Sequence, residues 1–200
     1  MTTILMFVLS YVLGSIPSGV WIGKKIYNTD IREYGSGNTG TTNTFRVLGV
    51  KAGTAVLVAD VLKGTLGASL PYFFHSDLNP MVVGLAAILG HTYPLFAQFK
   101  GGKAVATSAG VLLAYNPPFF LYCIVLFGIL LYFTRMVSLS SMTALILITF
   151  STLFIHDWVL TIIAGILTVF ITYRHRENIA RIKKGTESKV PFGFRYKKED

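Results

Sequence analysis

The chain has 200 residues, 52% of them hydrophobic and only 14% charged, with a mean hydropathy of +0.59. That balance excludes an ordinary soluble domain and predicts an all-helical integral membrane protein, a single membrane domain over residues 1–200. The net charge of +9 gathers in a few hinge loops and after residue 173; this fits topology signals and an anionic substrate, and argues against nucleic acid as a partner.

The first apolar run, residues 4–22, is long enough to cross a hydrocarbon core at about 20 residues. It has no basic leader and no Ala-x-Ala-like cleavage site, which predicts a retained helix rather than a signal peptide. Its later half holds Ser15, Pro17, Ser18 and Gly19, a missing backbone donor among small residues, so that end is expected to pack inside protein. Further spans are predicted at 54–74, 81–99, 137–155 and 158–173.

The remaining run, 104–134, is too long for one comfortable crossing, and Asn116-Pro117-Pro118 interrupts it. The chain therefore has six crossings or seven. Lys24, Lys25, Arg32, Arg46 and Lys51 mark the first loop as cytoplasmic, and Lys100 and Lys103 mark the third. Seven crossings keep Arg135 and the basic residues after 173 on that side too, which predicts the N-terminus out, the C-terminus in and a cytoplasmic basic tail over 189–200. The fourth helix is short for a crossing, so part of its approach is expected to be buried loop.

Between the first two apolar runs lies Gly35-Ser36-Gly37-Asn38-Thr39-Gly40-Thr41-Thr42-Asn43-Thr44-Phe45-Arg46. Glycines let backbone amides approach a ligand, the hydroxyls and amides offer neutral hydrogen bonds, and Arg46 offers a charged fork suited to phosphate. A solvated connection is the bland reading, but loops of roughly 30 residues are uncommon unless functional or disordered. A second polar stretch, Gly90-His91-Thr92-Tyr93-Pro94, runs on to Gly101-Gly102-Lys103 at a helix start. That arrangement suits phosphate, although glycines also make turns and lysines also obey the positive-inside rule.

The third stretch, Arg174 to Ile182, places His175 and Asn178 on one helical face, with Gly185 as the stop. It reads as a basic interfacial helix unless that inward pair has a task. Asp60 and Lys63, three apart in the second span, are expected to pair as structural support. Ser138, Ser140 and Ser141 follow Arg135 at a helix start, where N-capping accounts for one of them.

Several patterns fail on context. Gly35 to Gly40 matches Gly-x-Gly-x-x-Gly with Asp60 about 20 residues on, but no strand precedes it and Asp60 falls in a membrane span. No Walker motif or His/Cys cluster is present, and the single Cys123 lies in an apolar run, so neither a metal nor a cofactor is implied. None of the four histidines begins a His-x4-Asp acyltransferase signature.

Taken together, the three stretches resemble the membrane-integral bacterial glycerol-3-phosphate acyltransferases that use acyl phosphate as donor. The motifs are Gly35 to Asn38 with Asn43 and Arg46; Gly90-His91, Pro94 and Gly101-Gly102-Lys103; and Arg174-His175, Asn178, Gly185 and Glu187. Ala104 departs from the glycine frequent in the family, and residues 190–200 look like an added basic tail.

The resemblance implies transfer of an acyl chain to the sn-1 hydroxyl of glycerol 3-phosphate, giving lysophosphatidic acid and phosphate, the first acylation of phospholipid biosynthesis. It implies a multi-pass protein of the bacterial inner membrane, with a cytoplasm-facing site and a functional link to a soluble enzyme supplying acyl phosphate. Ser36, Arg46, Lys103, His175 and Asn178 take the catalytic roles. Gly37, Asn38, Gly40, Thr42, Asn43, His91, Gly101, Gly102 and Ser141 bind substrate or phosphate, and Glu187 joins Asp60 and Lys63 as support.

An acyl phosphate is already activated, so direct attack by the glycerol hydroxyl needs no covalent intermediate. The base is His175 or the substrate's own phosphate, whose second pKa lies near about 6, with the phosphate ranked slightly first. The rival class is a small carrier of phosphorylated anions, which would show internal repeats and a midplane site. No repeat is visible, and the polar stretches gather toward one face.

Overall fold

The computed structural model describes residues 1–196; of the expected tail over 189–200, residues 197–200 lie outside the described residues. All regular structure among the described residues is helical. The α-helices are α1 (Thr2–Gly14), α2 (Ser18–Tyr27), α3 (Thr41–Phe73), α4 (Pro80–Thr92), α5 (Val105–Tyr115), α6 (Pro117–Thr134), α7 (Val137–Thr152), α8 (Trp158–Arg174) and α9 (Arg176–Lys183). The chain divides into two compact units, Met1–Pro117, which holds α1 to α5, and Pro118–Asp200, which holds α6 to α9.

Breaks fall where the backbone cannot continue. The first apolar run is not one straight helix: α1 and α2 meet at 41°, at Pro17, which has no amide to donate. Ser15, Ser18 and Gly19 beside it are buried, as expected of a protein-packed end. Asn116 separates α5 from α6, the interruption expected from the two prolines after it. The third stretch departs from its expected straight continuation, because α8 and α9 bend by 60° at His175.

α3 starts inside the first polar stretch, well before residue 54. It is broken at Gly49, whose φ of 80° and ψ of −172° belong to a region open essentially to glycine alone. Of the cations read as topology signals, Lys24 and Arg32 also pair with Asp30, at 3.1 and 2.6 Å.

In the first unit Met6, Leu70 and Val83 form a buried cluster covered by Phe7, Leu9 and Leu78. Contact between α3 and α5 depends on Gly110: a Cβ there would lie 2.8 Å from the carbonyl carbon of Val61. Thr65 Oγ1 seals the crossing by donating to the Gly110 carbonyl at 2.9 Å.

In the second unit the Thr149 and Thr168 hydroxyls meet at 2.8 Å between α7 and α8, and Tyr122 meets Ser151 at 2.8 Å between α6 and α7. Leu121, Val125 and Ile129, at four-residue spacing on α6, are each more than half exposed. Such an apolar face belongs in lipid. By length and composition, Pro80–Ala97 and Pro117–Thr134 can each cross a membrane, and the bent pairs α1/α2 and α8/α9 each pass as one broken span. α5 and α7 are shorter apolar helices.

Candidate active site

The first polar stretch folds around one amide. Asn43 is 1% exposed; its Nδ2 donates to the carbonyls of Ile31 at 2.8 Å and Tyr34 at 3.1 Å. That fixes Oδ1, which accepts from the Ser36 amide at 2.9 Å, the Ser36 hydroxyl at 3.2 Å and Arg46 Nη1 at 3.5 Å. Ser36 and Arg46, ten residues apart, are thus held by a shared acceptor. Gly35 turns the chain over it with φ +61°, where a Cβ would strike the Asn43 amide.

Asn38 Oδ1 accepts from the Gly40 amide at 2.9 Å, shaping the entry to α3, whose first turn has no side-chain cap. Gly37 takes a left-handed φ of 68°. Thr42 and the Arg46 guanidinium are exposed. An uncapped helix start beside an exposed arginine favours an anion.

The second stretch turns back on the end of α4. The Gly101 amide donates to the Thr92 carbonyl at 3.2 Å and the Gly102 amide to the His91 carbonyl at 3.1 Å. The His91 ring lies under the turn, so close that a Cβ on Gly102 would collide with its Nε2. His91 is 7% exposed, and the structure places it as the floor of the loop. Lys103 follows at half-buried depth, one residue before Ala104, which occupies the cap position of α5.

Ala104 is buried and left-handed, with φ 60°. Because that region costs an L-residue about 1 kcal/mol, Ala104→Gly is expected to raise thermal stability by about that amount. Differential scanning of the detergent-solubilised protein measures it.

Asp60 joins the two loops. Its Oδ2 accepts from Thr41 Oγ1 at 3.3 Å, on the first turn of α3. Its Oδ1 accepts from Ser18 Oγ at 3.1 Å and Lys63 Nζ at 2.9 Å, and lies 3.7 Å from His91 Nδ1. Lys63 Nζ also donates to the Ile16 carbonyl at 2.9 Å, at the break before α2. The pairing expected of Asp60 and Lys63 is present; the hydroxyls of Ser18 and Thr41 were not foreseen, since nothing local marks them.

The second unit holds the third stretch. Glu187 Oε1 accepts from Ser138 Oγ at 2.7 Å and Asn178 Nδ2 at 2.7 Å, while Oε2 accepts from Arg181 Nε at 2.7 Å. His175 Nδ1 lies 2.8 Å from the Ile171 carbonyl; donation there makes Nε2 the ring's basic nitrogen. None of the serines opening α7 caps it. Met136 occupies the cap position, and Ser140 and Ser141 donate back to the carbonyls of Met136 and Val137, at 2.9 and 2.8 Å.

Burial works to raise the Glu187 carboxyl, but hydrogen bonds from Ser138, Asn178 and Arg181, with the charge of Arg181, outweigh it and hold the group below its ordinary 4.5. A folded value below the unfolded one stabilises fully above the unfolded value and is lost as pH falls through the folded one. Amide protection of α9, corrected for intrinsic exchange, is therefore expected to begin falling only below pH 4.5. Glu187→Gln should abolish that acid dependence.

Comparison with known proteins gives the site its context. A sequence model described as Glycerol-3-phosphate acyltransferase matches residues 4–185. The chain belongs to the glycerol-3-phosphate acyltransferase family. A relative of that name from Enterococcus faecalis is 58% identical, over 99% of this chain and 96% of its own. Crystal structures of PlsY (YgiH), an integral membrane glycerol 3-phosphate acyltransferase, are 36% identical, covering 95% of this chain and 96% of that chain. The TM-scores are 0.88 for its glycerol 3-phosphate form and 0.85 for its lysophosphatidic acid form. Within the first unit, the first two polar stretches both reach one buried carboxylate, Asp60, through Thr41 and His91.

Proposed function

We propose that this chain transfers an acyl chain from acyl phosphate to the sn-1 hydroxyl of glycerol 3-phosphate, at the cytoplasmic face of a bacterial inner membrane. Acylation of glycerol 3-phosphate follows from family membership; donor, position and topology are the proposal. One observation carries it: Ser36 and Arg46 share Asn43 Oδ1 beside an uncapped helix start, and Thr41 of that start reaches Asp60, the carboxylate that also lies 3.7 Å from His91 under the Gly101-Gly102-Lys103 turn. Two anion-seeking loops on one support suit a reaction whose two substrates each carry phosphate.

In this reading Arg46, Lys103, Ser36 and the amides about Gly37 and Gly40 hold phosphate oxygens and steady the leaving phosphate. The sn-1 oxygen bonds to the acyl carbonyl carbon, the bond from that carbon to the phosphate oxygen breaks, and phosphate leaves with the electron pair. The hydroxyl proton passes to a phosphate oxygen of glycerol 3-phosphate. His175 and Asn178 of the second unit keep, within this proposal, the catalytic role that the resemblance implies for them.

Topology enters the proposal as seven crossings, supported by the cations of the first and third loops and those after residue 173. Reporters fused to the two termini are then expected on opposite sides of the membrane; finding them on one side removes a crossing. Sealed proteoliposomes test the chemistry. Labelled glycerol 3-phosphate with acyl phosphate should give labelled 1-acyl lysophosphatidic acid in the lipid phase. Labelled glycerol 3-phosphate accumulating unchanged inside the vesicles would make the protein a carrier.

A further inference from the structure

Residues 188–196 fold as part of the second unit, against the end of α6. α6 ends at Thr134, and Arg135 follows with a left-handed φ of 59°. A helix end leaves carbonyls without intrahelical donors, and here the segment supplies two. The Val190 amide donates to the Arg135 carbonyl at 2.7 Å, and the Phe194 amide to the Tyr132 carbonyl at 2.8 Å.

Arg135 reaches back in turn, donating from Nε and Nη2 to the Val190 carbonyl at 3.3 and 3.1 Å, with its guanidinium 4.8 Å from the centroid of the Tyr196 ring. Phe194 packs on Phe133, centroids 5.8 Å apart. Residues 188–196 therefore cap a helix that is long and apolar enough to cross a membrane. The match to the family model ends at residue 185, just before this segment.

Its outer face has a particular chemistry. Phe192, Phe194 and Tyr196, at alternate positions, are 51, 46 and 39% exposed. Lys189 and Arg195 are exposed among them, with the Arg195 guanidinium 5.2 Å from the Phe194 ring centroid. Residues 181–196 contain five cations and one acid, and that acid, Glu187, is buried and bonded to Arg181. Aromatic rings mixed with exposed cations, at the end of a lipid-exposed helix, match the headgroup layer of a bilayer with negative surface charge.

We propose that residues 188–196 form an interfacial strap that binds anionic lipid phosphate headgroups through Lys189 and Arg195, with Phe192, Phe194 and Tyr196 seated in the headgroup layer. The proposal requires only that α6 ends at a bilayer surface, so it stands or falls separately from the choice of acyl donor.

The full chain in nanodiscs tests it. Phe192→Trp adds a reporter whose emission, after subtraction of the wild-type signal, is followed with brominated lipids. In equal mixtures, brominated phosphatidylglycerol is expected to quench at least about twofold more than brominated phosphatidylcholine. Adding Lys189→Gln and Arg195→Gln should erase the difference while leaving quenching by both. Phe194→Trp, as a second reporter, should give the same ranking. Quenching that saturates at a few mole per cent of brominated lysophosphatidic acid would assign a phosphate monoester as the ligand, whereas quenching graded with phosphatidylglycerol content would assign bulk anionic phospholipid. Absence of quenching, or equal quenching of the parent reporter by both bulk lipids, overturns the proposal.

Discussion

Asp60→Ala is expected to destabilise the protein by about 3 to 5 kcal/mol, because it leaves the Lys63 ammonium buried without its counter-charge. Both side chains are almost wholly enclosed, Asp60 at 2% and Lys63 at 5% exposure, so water cannot substitute for the lost carboxylate. Replacing the pair together, Asp60→Leu with Lys63→Met, removes both charges and should recover most of the thermal stability. Activity should not return with it. Thr41, Ser18 and His91 would still lack the carboxylate they face, and the two loops would lose their common anchor. Thermal unfolding and turnover of the single and double variants separate these roles; a fully active double variant would show that the anchor is dispensable.

Arg46→Ala is expected to lower kcat/KM by about one to two decades, the loss of a charge-assisted phosphate contact worth roughly 1.5 to 3 kcal/mol. Arg46 is exposed and its hydrogen bond to Asn43 Oδ1 is long, at 3.5 Å, so the melting temperature should barely move. Arg46→Lys should recover part of the rate, because a point charge cannot reproduce a bidentate fork. Unchanged kinetics in Arg46→Ala would remove the first polar stretch from the site.

Local chemistry made much of this legible in sequence. Pro117 and Pro118 announce the break at Asn116, and the glycines and hydroxyls between 35 and 46 announce a loop built to meet a ligand. An acid and a lysine three apart in an apolar helix announce a pair. What stayed hidden depends on contacts between distant residues. Ser138 resembles a helix-start residue until Glu187, 49 positions later, bonds to it. Asp60 resembles a paired charge until Ser18 and Thr41, 42 and 19 positions away, are seen on its two oxygens.

The bend at His175 was hidden differently. Its sequence is compatible with a continuous helix, and no proline or glycine marks the 60° turn. Asn43 shows a role that its local sequence does not announce: through Ile31, Tyr34, Ser36 and Arg46 it shapes the loop.

The donor is the point on which the account turns, and one assay addresses it. Purified protein in nanodiscs, given glycerol 3-phosphate and acyl phosphate, should form lysophosphatidic acid and inorganic phosphate in equal amounts, and none with acyl coenzyme A as the only donor. Equal or faster acylation from acyl coenzyme A, without release of phosphate, would contradict it.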